Sequence, residues 1–174
     1  MRAKEVTEIR PANATDAANL TVLATQVWLD TYCKQGVRRA LSEYVLSEFS
    51  QERFIQRIAA PDQRILLAEQ AQHLVGFARI ALASTMPKQA DYHVELTTLY
   101  VQPAFKGQGI GTHLLAAAKA VAEVQSQALW FSVNAQNENA LAFYQHVGCV
   151  VAGDTYFELD GERHLNRLML ASNC

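Results

Sequence analysis

An α/β fold of the α+β kind follows from three observations on the sequence. Apolar runs of strand character alternate with amphipathic stripes of helical spacing, in the order β-α-α-β-β-β-α-β-α-β-β. The run L-Y-V-Q-P-A-F-K-G-Q-G-I-G-T-H-L-L, from Leu99 to Leu115, passes from a strand through glycines into a helix. Asp160-Gly161 separates the last two apolar runs, which signals a tight hairpin. At 174 residues, half of them hydrophobic, the chain fits one domain, residues 1–174, with a substantial core.

Taken in order, Val6 to Arg10 alternates weakly and stops at Pro11, which suits a first strand. Thr15-Asp16 offers an N-cap to the helix that follows, whose apolar stripe is Ala17, Leu20, Leu23, Ala24, Val27 and Trp28. A second amphipathic region runs through Leu41, Val45, Phe49, Phe54, Ile55 and Ile58 and closes at Pro61, so two helices open the fold. Ile65 to Ala68 and Leu74 to Leu82 read as a strand pair, and the polar link Ser84 to Asp91 leads to a strand from Tyr92 to Val101. Ile110 to Val124 is an alanine-rich helix and Ala128 to Val133 a short strand of buried type. A helix from Asn137 to Val147 has Gly148 just beyond its end, and the strands Val150 to Leu159 and Glu162 to Leu170 complete the chain.

The glycine run is an anion cradle in the making, because the first N–H groups of a helix have no internal partner and its dipole favours negative charge. Two nucleotide readings fail on spacing. A dinucleotide fingerprint needs G-x-G-x-x-G and an acidic residue about twenty positions on, whereas Gly107, Gly109 and Gly111 alternate and the later stretch reads A-L-W-F-S-V. A P-loop lysine follows its last glycine, whereas Lys106 precedes all three. The run resembles instead motif A of the GNAT superfamily of acyl-CoA-dependent N-acetyltransferases, [Q/R]-x-x-G-x-[G/A], with Lys106, Gly109 and Gly111 in the signature positions. Lys106 keeps the charge of the family's usual Arg but lacks its fork. A second segment, N-E-N-A-L-A-F-Y-Q-H-V-G-C, is similar to the family's motif B, with Asn137, Ala140, Phe143, Tyr144 and Gly148 in register and Cys149 in place of the last aromatic.

That resemblance implies a central, mixed, mostly antiparallel seven-stranded sheet flanked by four helices, acetyl-CoA as co-substrate, and acetyl transfer to a primary amine by direct attack. The pyrophosphate would lie over the N–H groups of Lys106, Gly107, Gln108, Gly109, Ile110, Gly111 and Thr112. Backbone groups of Leu99, Tyr100 and Val101 would pair with the pantetheine arm and polarise the thioester carbonyl. Tyr144 would be the general acid, and a phenol still protonated at neutral pH suits that role; the plainer reading is a tyrosine packing its helix on the sheet. Asn137 caps its helix and lies, in the family, near the pantetheine, in a segment that also carries Ala140 and Phe143. An alkylamine with a pKa of about 10.4 must lose a proton before it attacks, and the resemblance makes Glu95, four residues before Leu99 where several family members carry a catalytic glutamate, the candidate base, directly or through water; an exposed or a structural carboxylate is the other reading. Asp30 and Asp91 are weaker candidates.

The acceptor pocket is walled in this family by the opening helices and the final hairpin, which points to Trp28, Asp30, Thr31, Tyr32, Glu43 and Tyr44 on one side and Tyr156, Phe157 and Glu158 on the other; a stripe such as Leu20, Ala24 and Trp28 also reads as core. The W-L-D-T-Y segment and the C-terminal pattern are also similar to bacterial PaiA-type polyamine acetyltransferases, and Glu43, Glu48 and Glu52 would suit a polyamine. A protein or peptide N-terminus is the alternative acceptor, and an idle coenzyme A-binding regulator the alternative from another class. The formal charge of −2 gives no basic field for nucleic acid, and no apolar run reaches the length of a membrane span. The opening M-R-A-K-E-V-T-E lacks a signal-peptide core, and Cys33, Cys149 and Cys174 share no metal spacing, which suits a reduced, cytoplasmic protein. The five histidines form no ligand pattern, so no metal is expected. Edge strands at the C-terminal end leave monomer and homodimer both open.

Overall fold

The computed structural model describes residues 6–159 and 161–171. Its strands are β1 (Glu8–Pro11), β2 (Gln63–Gln70), β3 (His73–Ala81), β4 (Val94–Val101), β5 (Leu129–Asn134), β6 (Val150–Leu159) and β7 (Glu162–Ala171), in one seven-stranded sheet of order β1-β2-β3-β4-β5-β7-β6. Antiparallel pairing joins β1 to β2, β5 to β7 and β6 to β7, while β4 and β5 are parallel. The helices are α1 (Ala17–Tyr32), α2 (Arg39–Glu48), α3 (Gln51–Ala59), α4 (Ile110–Val124) and α5 (Glu138–His146). This is the mixed α/β class expected, with five α-helices among the described residues instead of four. The extra one arises because the Leu41 to Ile58 region is broken: Phe49 leaves helical geometry, and the Ser50 side chain accepts from the Arg53 N–H, which starts α3 afresh.

The chain divides into two compact units, one of residues up to Arg79 with Thr98–Ala117, the other of Ile80–Thr97 with the chain from Ala118 onward. In the first, the α1 stripe is buried as its spacing predicts, Ala17, Leu20, Leu23, Ala24, Val27 and Trp28 all lying in a core with Phe54, Leu67 and Phe77. The cap differs from expectation. Asn13 caps a short 3-10 helix, Ala14–Asp16, in a capping box, and Asp16 makes no side-chain cap to α1. Its carboxylate is engaged elsewhere, because Arg10 donates to both Asp16 oxygens at 2.8 and 2.9 Å and to both Glu69 oxygens at 2.7 and 2.9 Å.

That guanidinium, helped by the Asn13 N–H and opposed by burial, holds the Asp16 carboxyl below the usual carboxylate range. A carboxyl depressed in the folded state adds stability at pH values above its unfolded value of about 3.9 and loses it as pH falls through the folded value. Asp16→Asn should therefore cost about 1 kcal/mol at neutral pH. It should also flatten the fall of Tm below about pH 4 in thermal melts across the acid range.

In the second unit, Trp130, Met86 and Leu168 form a buried cluster with Tyr92, Ala152 and Leu170 against it. The Ser84 to Asp91 segment, polar by composition, is folded in by its one large apolar residue: Met86 is 1 % exposed, and its N–H donates to the Tyr92 carbonyl. The hairpin of β6 and β7 closes at Leu159↔Glu162, with a register shift between Val151 and Gly153. Gly161 has φ +77°, as a tight turn requires, while Asp160, its expected partner in the turn, and Cys174 lie outside the described residues.

Candidate active site

The glycine loop belongs to the first unit. Gly107 and Gly109 hold φ +77° and +83°, and a side chain at either would meet nothing within 4 Å, so glycine is required there for its left-handed backbone and not for lack of room. The expected alternation therefore has a physical basis in two of its three members, and Gly111 lies inside α4. His113 N–H closes the first turn on the Gly109 carbonyl at 3.0 Å, so the N–H groups of Ile110, Gly111 and Thr112 precede any helical acceptor. Ile110 is buried and anchors the helix start, while Lys106, Gly107, Gln108, Gly109 and Thr112 are exposed. The Lys106 ammonium stands 3.9 Å from Asp30, which also pairs with Lys34. Gln70, 5 % exposed at the end of β2, directs its side-chain N–H toward the Gln108 side chain at 3.4 Å.

Leu99, Tyr100 and Val101 close β4 just ahead of this loop. The Tyr100 ring packs edge-on to Phe77 at 5.6 Å and to Phe49 at 6.4 Å, and burial pushes its phenol well above the usual range. Gly76 on β3 faces the same stretch, where an added Cβ would lie 2.7 Å from the Tyr100 carbonyl oxygen. Trp28 is buried, stacked on Tyr44 at 5.1 Å, whereas Tyr32, tilted against Trp28 at 5.0 Å, is half exposed. Glu43 pairs with Arg39 at 2.6 Å, and Glu48 with Arg57 and Arg53.

Motif B and the candidate base belong to the second unit. The Asn137 side chain accepts from the Ala140 N–H at 3.2 Å and caps α5, and Gly148 just beyond the helix has φ +86°. Tyr144 is buried with its ring 4.4 Å from Phe131 and 5.1 Å from Phe143. Burial, with the neighbouring Cys149, pushes its phenol well above the ordinary value, so it holds its proton throughout the neutral range. Cys149 is itself buried and its N–H donates to the Tyr144 carbonyl at 2.9 Å. Glu95 is the register partner of Trp130, and the parallel ladder of β4 with β5 ends at that pair. Adjacent strand residues point to opposite faces, so Trp130 and Glu95 share one face while Phe131 meets Tyr144 on the other. Ser84 donates from Oγ to Glu95 Oε2 at 2.5 Å and accepts from Trp130 Nε1 at 2.8 Å.

Farther along the Glu95 face, Asn134 is paired with Asn166, whose side-chain oxygen is buried without a hydrogen-bond partner. Tyr156 is 55 % exposed on β6 with Arg163 over its ring at 4.3 Å. A groove of about 460 Å³ lined by Leu82, Ala83, Thr85, His93, Gln125 and Gln127 includes none of the expected site residues. Among the described residues no group of His, Cys, Asp or Glu is arranged to hold a metal ion, and no helix is long and apolar enough to cross a membrane. Ser84, Gly76 and Asn166 were not singled out by sequence. Gly76 alone carried a signal, since an isolated glycine inside a strand pattern marks a close backbone approach.

Residues 28–169 match the family model described as an acetyltransferase (GNAT) domain. The chain belongs to the GNAT acetyltransferases. It is thus an acyl-CoA-dependent N-acetyltransferase, as motifs A and B implied. An uncharacterized N-acetyltransferase of Mycobacterium tuberculosis is 29 % identical over 154 residues, which span 87 % of this chain and 94 % of that one. The N-alpha-acetyltransferase RimI of the same organism is 32 % identical over 95 residues, 55 % of this chain and 57 % of RimI. Among solved structures, the PaiA N-acetyltransferase of Thermoplasma acidophilum in complex with coenzyme A shares the fold at TM-score 0.71 and 22 % identity, over 93 % of this chain and 98 % of that one.

Proposed function

We propose that this GNAT domain transfers the acetyl group of acetyl-CoA to the primary amine of a small molecule, with polyamines among the acceptors to test. The coenzyme's pyrophosphate would rest on the N–H groups from Lys106 to Thr112 and its pantetheine arm along Leu99 to Val101, with Asn137, Ala140 and Phe143 contributing from motif B. Glu95 takes a proton from the acceptor ammonium, directly or through a water. The free amine then attacks the thioester carbon, the C–S bond breaks as the C–N bond forms, and Tyr144 returns a proton to the departing sulfur. The observation that carries this reading is the placing of a carboxylate and a protonated phenol on opposite faces beside β5, where the ladder with β4 ends. Tyr32 and Tyr156, each about half exposed, are the proposed acceptor contacts, with Trp28 backing Tyr32. We place the activity in the cytoplasm, in one functional domain of residues 1–174, as a monomer or a homodimer.

A second reading, acetylation of a protein or peptide N-terminus, is favoured by the likeness to RimI and by the pairing of Glu43 and Glu48 with arginines, which leaves less negative charge for a polyamine. The deciding experiment is thiol release from acetyl-CoA with spermidine, spermine, amino sugars, amino acids and short peptides. Release with the small amines is the expected result, release with peptides alone selects the second reading, and coenzyme A binding with no release from any acceptor points to a regulator.

A further inference from the structure

We infer that Ser84 is a positioning residue for the reaction, fixing the Glu95 carboxylate through its hydroxyl; this rests on the role of Glu95 proposed above. The Ser84 backbone is tied at both ends, its N–H donating to the His93 carbonyl and its carbonyl accepting from Trp130 Nε1, each at 2.8 Å. Trp130 is in turn the register partner of Glu95. A closed ring of contacts results: strand ladder from Glu95 to Trp130, indole to Ser84 carbonyl, Ser84 hydroxyl to Glu95 Oε2. Burial of Met86, two residues on, in the cluster with Trp130 and Leu168 holds the segment down.

A flexible glutamate at the end of a ladder samples several rotamers, and a proton acceptor works only in the ones that reach the amine. The hydroxyl donates to Oε2 and so confines the carboxylate to the rotamers that keep this bond. Nothing in the family motifs points to position 84, and the residue acts through Glu95 without touching the coenzyme sites proposed above.

The test is a double-mutant cycle in the full chain, read as steady-state kinetics with acetyl-CoA against spermidine and against an alanyl peptide. Ser84→Ala keeps both backbone ties and should lower kcat roughly 10- to 100-fold with the KM for acetyl-CoA unchanged. Ser84→Thr, which keeps a hydroxyl, should restore most of the rate. In a Glu95→Gln background, Ser84→Ala should have no further effect. If Glu95→Gln is slow but Ser84→Ala is as fast as the unmodified chain, or if the two losses add in full, the inference fails while the role of Glu95 stands. If Glu95→Gln keeps its rate, or no variant releases thiol with either amine, the reading of Glu95 falls and the inference with it.

Discussion

Tyr144→Phe should lower kcat roughly 10²- to 10⁴-fold while leaving the KM for acetyl-CoA within a few-fold and the Tm nearly unchanged. The ring contacts with Phe131 at 4.4 Å and Phe143 at 5.1 Å need no hydroxyl, so phenylalanine keeps the packing and the change isolates the proton. Burial raises the phenol's affinity for that proton, so at neutral pH the group is protonated, as the proposed donor role requires. A raised pKa does not make it an idle donor. In the proposed mechanism a thiolate expelled beside it would share those buried surroundings, and desolvation would raise the basicity of that sulfur too, so donor and acceptor would move together. On that proposal, loss of the hydroxyl would leave the departing thiolate without its proton donor. Stopped-assay kinetics and thermal melts on the two proteins decide the matter. A kcat within about threefold of the unmodified chain, well below the usual worth of a general acid, would assign Tyr144 to packing and the proton to solvent.

The features that sequence made legible are those set by local periodicity and by glycine. The α1 stripe is buried as spaced, α4 runs from Ile110 to Val124 as expected, and Asn137 and Gly148 bracket α5. Left-handed backbone at Gly107 and Gly109 is equally local, since only neighbouring atoms decide whether a Cβ is tolerated. What escaped depends on partners distant in sequence. Asp16 looked like a cap because caps are local, but Arg10, which Glu69 from 59 positions further along also holds, engages the Asp16 carboxylate and leaves capping to Asn13. Ser84 is one polar residue in a polar link until β5 brings Trp130 to its carbonyl and β4 brings Glu95 to its hydroxyl. The break at Ser50 is the intermediate case: a serine before a helical turn is a readable signal, overridden in the reading by an apolar stripe that continues across it.

Gly76→Ala should cost about 1–3 kcal/mol of stability. At about 2–4 °C per kcal/mol for a chain of this size, that is a fall in Tm of several degrees. Gly76 is not at positive φ, so alanine meets no conformational penalty; the obstacle is space. Its Cβ would lie 3.3 Å from Leu114 Cδ1 and Val101 Cγ2, which side-chain rotation can relieve, but 2.7 Å from the Tyr100 carbonyl oxygen, which only backbone movement can. The neighbouring Gln102 N–H to Val75 carbonyl bond, 2.9 Å, and the Phe77 to Tyr100 ring contact would be stretched by that movement. Because Leu99 to Val101 are the groups proposed to hold the pantetheine and polarise the thioester, the KM for acetyl-CoA should rise together with the loss of stability. Gly153→Ala supplies the contrast, since its Cβ would meet Leu168 Cδ1 at an ordinary 3.7 Å. That variant should stay within about 0.5 kcal/mol of the parent and keep its KM. Thermal melts in which both variants match the parent would show that β4 yields at Tyr100 without cost, and a stretch of backbone so compliant would be a poor candidate for orienting a thioester carbonyl.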